Sequence, residues 1–395
     1  MIELRFLAPQ RRPQAFVLVL LVLGAMGFFL TWFYLALALN QKFTLSKAQI
    51  GTILGSMLIV TSGLSWLGGI VSDRVGHINI LRIGMLAYIP ITLVLAQAAN
   101  LYVAVFMILL IGFIRVFTTP ATKALCVRAD DGSGRMFRWR YIAIVIASLS
   151  TGIIGLLWQP EQQSDMLYAG VVCLALSSFW AWCVAHGFSD DGFERKARIA
   201  EMSASFDYRP IVALVCYGCL LFILLAQFES SLPLHLNDFF GETRGAQIYR
   251  VEIFLGSLGA LIISVINDQL LLRNPNASHT PQVFLGMVLV SIAMVMLYVG
   301  PQAYWIYIGT VIFATGEVLL FPLIDSMATP FMNARNRGKV MGVLEMRQIG
   351  FAIGPVFGGY FLDHSNVMLI SFLLPCVVLV GVTYTMIEKY RRQLV

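Results

Sequence analysis

The sequence predicts an all-α integral membrane protein, and composition and chain pattern both indicate this class. Of 395 residues, 58% are apolar and only 12% are charged, whereas soluble domains carry about 25% charged residues. Apolar runs of about 20 residues recur along the chain, and each is long enough to cross a hydrocarbon core of ~30 Å as a helix. Because lipid offers no hydrogen bonds to the backbone, these runs are predicted as helices and not as open strands.

Twelve transmembrane helices are predicted in chain order. The first is too long for the roughly 7–15-residue core of a signal peptide and no A-x-A-like site follows it, so no cleavage is expected. The predicted spans are 16–38, 48–71, 80–98, 102–126, 139–158, 166–186, 209–233, 248–268, 281–299, 303–328, 339–362 and 367–388.

The longest polar connection divides the twelve spans six and six. We therefore predict an N-terminal six-helix bundle over 1–186, a cytoplasmic linker over 187–208 and a C-terminal six-helix bundle over 209–395. Most Lys and Arg residues fall on one side of the predicted membrane, and by the positive-inside rule both termini are cytoplasmic. The expected location is a bacterial-type inner (plasma) membrane. The net charge of +6 reflects this bias, and the absence of a basic cluster interleaved with aromatics argues against nucleic-acid binding.

A short charged loop separates the second and third spans and carries the pattern G-x-x-x-D-R-x-G. Its residues are Gly69, Asp73, Arg74 and Gly76. The pattern resembles the loop signature of the major facilitator superfamily (MFS) of transporters, which lies there between helices 2 and 3. The resemblance implies the MFS fold of two pseudo-symmetric six-helix bundles, and it extends over the whole chain.

The same resemblance implies a conformational latch. Asp73 is expected to meet the N-terminus of helix 11, where free N–H groups and the helix dipole favour an anion. Arg128, at the end of helix 4, is a possible partner for Asp73. Simple turn formation is the alternative explanation of these polar residues.

The two halves show a weak internal repeat with reversed charges. Helix 4 and helix 10 align at Pro120 and Pro322, and this register places Arg115 on Glu317. Paired repeats are found in many secondary transporters, whose sites lie near the midplane between the repeats. A charge at the centre of a membrane helix costs roughly 2.5–3.5 kcal/mol, so such residues are candidates for function. In an MFS-like fold, helices 1, 4, 7 and 10 line the cavity, and Arg115 and Glu317 are expected to face each other, as a switch or as a structural pair.

Glu229 is the predicted proton carrier. It lies in apolar helix 7 beside Gln227 and two serines, and a desolvated carboxyl group resists ionisation. The alternative is a hydrated residue at the outer end of the helix. Lys123 and Asp325, which also coincide in the repeat, lie near the cytoplasmic ends and form either a gate or a pair of side chains that extend to water.

Aromatic side chains are the remaining candidates for the substrate pathway. Trp32 and Tyr34 on helix 1 are expected either to line the cavity or to sit in an interfacial belt, and Tyr217 on helix 7 is a similar candidate. Four charged residues are expected outside the core: Arg250 and Glu252 solvated at the outer start of helix 8, and Glu345 and Arg347 interfacial in helix 11.

Cysteine usage indicates no metal or redox cofactor. Cys216 and Cys219 form a C-x-x-C inside helix 7, but no second pair or suitably placed His accompanies it. Packing is the preferred interpretation. The expected partners are a small-molecule substrate, protons and the lipid bilayer, with the chain acting as a monomer.

Within the MFS the chain is most similar to the twelve-helix drug:proton antiporters. The similarity rests on two sequence features. One is QFESSLPLHL (227–236), and the other is the set of glycines in helix 11, which form G-x-x-x-G-P-x-x-G-G over 350–359. The antiporter motif of the family belongs in helix 5, however, and the helix 4 motif R-x-x-Q-G keeps only Arg115. The sequence thus predicts proton-coupled export of an amphipathic molecule, with an importer or a dedicated metabolite or siderophore carrier as the alternative. A membrane-embedded enzyme is disfavoured because the histidines lie at membrane surfaces without a carboxylate pair.

Overall fold

The computed structural model describes residues 12–129, 135–158, 162–184, 209–273, 280–300, 302–328 and 343–392. These ranges form twelve long helices. In chain order they are α1 (Arg12–Phe43), α2 (Lys47–Val75), α3 (His77–Gln97), α4 (Leu101–Ala129), α5 (Arg135–Leu157), α6 (Met166–Val184), α7 (Arg209–Phe240), α8 (Glu242–Arg273), α9 (Thr280–Val299), α10 (Ala303–Ala328), α11 (Gln348–His364) and α12 (Asn366–Arg392).

Eleven of these helices are long and apolar enough to cross a membrane by themselves. The remaining one, α11, has 17 residues and is preceded by a 3₁₀ turn over Glu345–Arg347. The predicted all-helical membrane fold is therefore confirmed. Residues 339–342 of the predicted span 339–362 lie outside the described residues, and α11 ends at His364. The predicted linker 187–208 lies outside the described residues.

Local sequence signals set several helix ends. Ser46 caps α2 by accepting a hydrogen bond from the Gln49 N–H, and the Gln49 side chain accepts one from the Ser46 N–H at 2.9 Å. This reciprocal arrangement satisfies two N–H groups that the helix itself leaves unpaired. Gly76 has φ 96° between α2 and α3, and Gly241 has φ 83° between α7 and α8. Both tight turns need a residue that tolerates positive φ, which is why glycine occupies them.

Within α1–α6 and within α7–α12, neighbouring helices pack against one another, and two helix pairs make the main connection between these groups. α2 packs along α11, and α5 packs along α8. We call the membrane side where α1 begins and α12 ends the terminal face, and the opposite side the far face. The apolar side chains that point away from the packed helices, such as Ile83, Phe179 and Phe284, are exposed as lipid-facing residues would be.

The α7 helix contains one irregular segment. Residues Gln227–Ser231 form a π-helical turn between two α-helical stretches, Arg209–Ala226 and Leu232–Phe240. A π-turn inserts an extra residue and rotates the side chains that follow, and such turns are frequent at functional sites. Glu229 lies in the middle of this segment.

Candidate functional site

A central cavity of about 760 Å³ lies between the two groups of helices. Its wall is largely aromatic and aliphatic, with Phe28 and Phe29 from α1 facing Phe228 and Phe313 from α7 and α10. Volumes of this order, with apolar walls and a few polar groups, are typical of small-molecule sites. α5 and α8 contribute to the wall beside α1, α4, α7 and α10, so the cavity involves more helices than the four predicted.

Six charged side chains of the described residues also line the cavity. Four are cationic and two are acidic: Arg115, Lys123, Arg140, Arg347, Glu229 and Glu317. They are spread along the wall and not collected in one patch. The cavity therefore combines apolar surface with charges of both signs, which suits an amphipathic molecule.

Glu229 closes the end of the cavity that points to the far face. The Trp32 indole Nε1 donates a 2.6 Å hydrogen bond to the Glu229 Oε2, which connects α7 to α1. The Tyr249 hydroxyl of α8 donates to the backbone oxygen of Glu229 at 3.2 Å. The π-turn thus presents a carboxyl group at the contact between the two groups of helices.

Glu317 accepts a hydrogen bond from a different helix than the one predicted. The Tyr141 hydroxyl of α5 donates to Glu317 Oε1 over 3.3 Å. Arg115 lines the same cavity, but its guanidinium lies over the Phe28 ring, 3.7 Å from the centroid. No ion pair joins Arg115 to Glu317 among the contacts of the described residues. The cavity brings the two predicted partners to one site without pairing them.

Lys123 forms an ion pair with Glu345 across the cavity toward the terminal face. Glu345 stands on the 3₁₀ turn before α11 and also accepts a hydrogen bond from Gln348 and neighbours Arg347 at 3.6 Å. Glu345 and Arg347 are 3% and 5% exposed, so the expectation that they are interfacial was wrong. The turn folds them inward, where Lys123 supplies the compensating charge that a buried carboxylate needs.

Polar contacts between the two groups of helices also lie at the far face. Lys47 at the start of α2 forms an ion pair with Asp238 at the end of α7. The Asp363 carboxylate of α11 accepts hydrogen bonds from the backbone N–H groups of Lys47 and Ala48 at 3.3 and 3.0 Å. Asp363 therefore caps the N-terminus of α2 from the other group of helices, as a carboxylate at this position can.

The same end is closed by direct backbone packing. A Cβ on Gly51 of α2 would overlap the carbonyl oxygen of Pro355, and a Cβ on Gly359 of α11 would overlap the carbonyl oxygen of Lys47. Only glycine allows the two backbones to come this close. The helix 11 glycines that resemble the antiporter motif thus act in this conformation as a packing surface for α2 and α7.

Four of the predicted pathway residues lie behind the cavity wall and do not line it. Trp32 is 2% exposed and reaches the site only through Glu229, so it belongs to no interfacial belt. Tyr34 and Tyr217 are fully buried. Gln227 is also buried and donates to the Gly354 carbonyl at 2.8 Å, which fastens the π-turn to α11.

The expectation that Arg250 and Glu252 are solvated was wrong. They are 4% and 0% exposed. The reason is that α8 begins at Glu242, so these residues lie about two to three turns inside the helix and not at its start. The Arg250 Nη2 donates to the Gln163 side chain at 3.2 Å.

The loop motif is described in part. Gly76 ends α2 with its N–H donating to the Ser72 carbonyl at 3.0 Å, and Arg74 is exposed. A Cβ on Gly69 would meet nothing within 4 Å, so packing does not explain this glycine. The side chains of Asp73 and of Arg128, its predicted partner in the latch, lie outside the described residues, as does that of the predicted pathway residue Asp325.

Sequence reasoning missed two cavity residues of α5. Both lie inside the predicted span 139–158 but were not named as candidates, and in the structure Arg140 and Tyr141 line the cavity near the start of α5, which begins at Arg135. The available signal was an arginine followed by a tyrosine at the start of an apolar run. On α5 and α8, the Ser148 and Ser257 hydroxyls also lie 2.7 Å apart across the helix contact.

Comparisons with known proteins find membrane transporters that are similar over most of the chain. The chain is 25% identical to an uncharacterized MFS-type transporter, YqjV, of Bacillus subtilis over 87% of this chain and 84% of that protein. It is 22% identical to the multidrug resistance protein MdtH of Citrobacter koseri over 89% and 87% of the two chains.

Solved transporter structures show the same fold at low identity. The human organic anion transporter MFSD10 (TETRAN) superposes with a TM-score of 0.70 at 15% identity, covering 95% of this chain and 99% of that one. A POT family transporter reaches 0.76 at 13% identity, over 97% and 96%. The family model described as Major Facilitator Superfamily matches residues 17–348. The chain is therefore a multi-pass membrane protein that belongs to the major facilitator superfamily of transporters.

Proposed function

We propose that this transporter exports an amphipathic small molecule across the inner membrane in exchange for protons. The observation that carries the proposal is Glu229, a carboxyl group at the closed end of the cavity, held by an indole from the opposite group of helices. A carboxyl group at this contact can link its protonation to the conformation of the protein. The drug-resistance relative at 22% identity supports a drug-like substrate.

The proposed cycle is alternating access about the central cavity. With both termini in the cytoplasm, the terminal face is cytoplasmic and the present conformation is closed toward the outside. Substrate enters from the cytoplasm and contacts the aromatic wall. The two groups of helices then rock, so that α2 and α11 separate at the far face and the cavity opens outward.

Glu229 is the proposed proton carrier. A carboxylate that holds a cationic or polar part of the substrate must give up that contact when it is protonated, so substrate and proton compete for one group. By linkage, each then lowers the affinity of the other. Glu317 is the second candidate carrier, since it lines the cavity and Tyr141 donates to it. Asp325 is a third candidate from sequence alone.

The test is transport in proteoliposomes with an imposed proton gradient and ethidium as the probe. Wild-type protein is expected to accumulate ethidium against its gradient only when the proton gradient is present. Glu229→Gln is expected to lose this accumulation while retaining ethidium counterflow, because glutamine keeps the shape of the protonated acid. Glu242→Gln, at the exposed start of α8, is the matched control. Gradient-driven accumulation by Glu229→Gln would contradict the assignment of Glu229.

A second candidate function is import of an amphipathic anion together with protons. The cavity favours it through its charge, because four cationic side chains face two acidic ones. Protonation of Glu229 and Glu317 removes negative charge, so for an anion it strengthens binding instead of competing with it. Proton and anion are then carried in the same direction, and an inward proton gradient drives uptake.

The charge of the substrate therefore decides the direction of coupled transport. Measurements with the anionic probe anilinonaphthalene sulfonate in the same liposomes distinguish export in exchange for protons from import together with protons. Exchange predicts that lowering the pH weakens ethidium binding. Cotransport predicts that lowering the pH strengthens binding of the sulfonate and that only the sulfonate is moved by the gradient.

The predicted latch and a gate at Lys123 complete the proposal, with Glu345 in place of Asp325, the predicted partner of Lys123, as the group that pairs with the lysine. Asp73 and Arg128 hold the cytoplasmic side when the cavity faces outward, as the family resemblance implies. Lys123 and Glu345 act at the inner end of the cavity, since their ion pair links α4 to the turn before α11. Both devices must open and close once in every cycle.

A further inference from the structure

We propose that Glu252 of α8 is a second proton-binding site, which acts together with Glu229. The proposal deepens the proposed proton coupling and rests on it for its role in transport. It concerns a carboxyl group that lies behind the cavity wall and that neither the exchange nor the cotransport scheme uses. Its ligand is the proton itself, so the site can be tested without knowing the substrate.

Glu252 is buried without a hydrogen-bond donor. Its residue exposure is 0%, and neither carboxylate oxygen has a hydrogen-bond partner within the part of the chain that the structure describes. An ionised carboxylate sealed in this way loses its hydration and gains nothing in return. The protonated acid is the form that fits this environment. The conformation closed at the far face is therefore one in which Glu252 holds a proton.

The two carboxyl groups lie at one depth on a helical hairpin. α7 ends at Phe240 and α8 begins at Glu242, with the tight turn at Gly241 between them. Glu229 lies 12 residues before Gly241 and Glu252 lies 11 residues after it, which is roughly 17 Å along their helices at ~1.5 Å per residue. The Tyr249 hydroxyl, one turn before Glu252, donates to the backbone oxygen of Glu229. The hairpin thus places both acids side by side near the far end of the cavity.

The titratable groups around Glu252 come from four helices, and Glu229 is the acidic one. They are Tyr34 of α1, Glu229 of α7, Tyr249 of α8 and Tyr298 of α9. Arg250, two positions earlier on α8, donates to Gln163 and neighbours Tyr34 instead. Two carboxyl groups within electrostatic range cannot easily ionise together, so release of a proton from one favours retention on the other.

This coupling gives Glu252 a function that a permanently protonated structural residue does not have. When the far face opens, α8 moves away from α5 and water reaches the region of Glu252. Glu252 then exchanges its proton with the outside solution, and while it is ionised it favours proton uptake by Glu229. The far face closes again only after Glu252 is protonated, because its closed surroundings accept only the neutral acid. Protons thus load from the outside, which is the direction that an inward proton gradient drives in both the exchange and the cotransport schemes.

The test is infrared difference spectroscopy of the full-length protein in liposomes during a pH titration. Wild type is expected to show protonated-carboxyl bands that respond to pH, with one band from Glu229 and one from Glu252 among them. Glu252→Gln should remove one band and move the transition of the other, because Glu229 loses its neighbouring acid. Glu229→Gln should produce the converse, and Glu242→Gln, on the exposed start of the same helix, should leave both bands unchanged.

Two outcomes would overturn the proposal. One is an unaltered spectrum in Glu252→Gln, and the other is a Glu252 band that persists unchanged at every pH, as a purely structural acid would give. Because the measurement uses protons alone, it stands apart from the transport assay. Loss of gradient-driven transport in wild type would defeat the proposed function while leaving the spectrum interpretable. Chromatographic behaviour and thermal unfolding of Glu252→Gln check that the variant folds.

Discussion

The two ends of the central cavity are closed by different kinds of interaction. At the far face, the glycines of α2 and α11 allow backbone-to-backbone contact, and polar links such as Lys47 with Asp238 surround it. Toward the terminal face, an ion pair between Lys123 and Glu345 joins the two groups of helices. Backbone packing depends on shape and is sensitive to a single added carbon atom, whereas an ion pair depends on charge and on access to water.

This difference indicates which end is harder to open in the present conformation. Separating α2 from α11 loses extensive close packing, and the loss must be offset by substrate or proton binding. Breaking Lys123 from Glu345 costs less if water enters, because both charges become hydrated. We therefore expect the far end to control the equilibrium between conformations and the terminal end to control the rate of access.

The largest expected effect comes from blocking the far contact. Gly51→Leu places a side chain where the Pro355 carbonyl lies, and overpacking of this kind costs about 1–3 kcal/mol or more. We expect transport to be abolished and the distance between spin labels at Asn100 and Gln302 to increase, since the far face cannot close. Gly63→Leu on the same helix faces open space and serves as the control. Normal transport by Gly51→Leu would show that α2 and α11 need not meet.

The charged contact should show a smaller effect that reversal of charge repairs. Lys123→Glu or Glu345→Lys leaves like charges at a buried position, and losing one partner of a buried pair costs about 3–5 kcal/mol. Each single change should cut transport strongly, and the double exchange Lys123→Glu with Glu345→Lys should recover part of it. A matched swap of Arg115→Glu with Glu317→Arg should not recover transport, because these two residues form no ion pair here. If only the exchange of Arg115 with Glu317 restored transport, Arg115 and Glu317 would be the interacting pair, and Lys123 and Glu345 would not.

A substitution in the predicted latch is expected to have an effect of intermediate size on transport. Asp73→Asn removes the charge proposed to hold helix 2 against helix 11 on the terminal side. We expect normal insertion, a clear loss of turnover and fewer molecules open to the far side. The measurement is the spin-label distance between Asn79 and Lys389 across the terminal face. An unchanged distance distribution together with reduced turnover would remove the latch from the mechanism.

The smallest expected effect is at the contact between α5 and α10. Tyr141→Phe removes the hydrogen bond to Glu317 and keeps the ring, and one such bond contributes about 0.5–1.5 kcal/mol. Transport should fall by about two- to tenfold, and its pH profile should shift because Glu317 has lost its donor. Tyr102→Phe, at an exposed position on the far face, should leave both quantities unaltered. A pH profile identical to wild type would separate Glu317 from proton coupling.

The sequence predicted where the helices lie in the chain better than it predicted which helices and side chains contact one another. The span beginning at residue 209 and the turn at Gly76 follow from local apolar pattern and from the freedom of glycine at positive φ. The turn at Gly241 was not predicted, because α7 runs to Phe240 and not to 233, and α8 begins at Glu242 and not at 248. The predicted start of helix 5, at residue 139, was a few residues late, because α5 begins at Arg135. Arg140 and Tyr141 fell inside the predicted span, and what the sequence did not show is that they line the central cavity. Helix ends in polar, amphipathic sequence are set by packing against neighbours as well as by hydropathy.

The sequence by itself determined that this chain forms a bundle of membrane-crossing helices, because hydrophobic length and the cost of unpaired backbone groups act on each segment separately. Its resemblance to the major facilitator superfamily came from the short loop motif between the second and third helices. The sequence also made Glu229 a candidate functional residue, since an acidic residue in an apolar helix can be recognised from the chain alone, without knowing which residues pack against it. The tertiary structure alone decided which groups meet: Trp32 with Glu229, Tyr141 with Glu317 and Lys123 with Glu345. The physical reason is that a buried charge takes its partner from whichever helix packs against it, and that helix is set by contacts far apart in the chain.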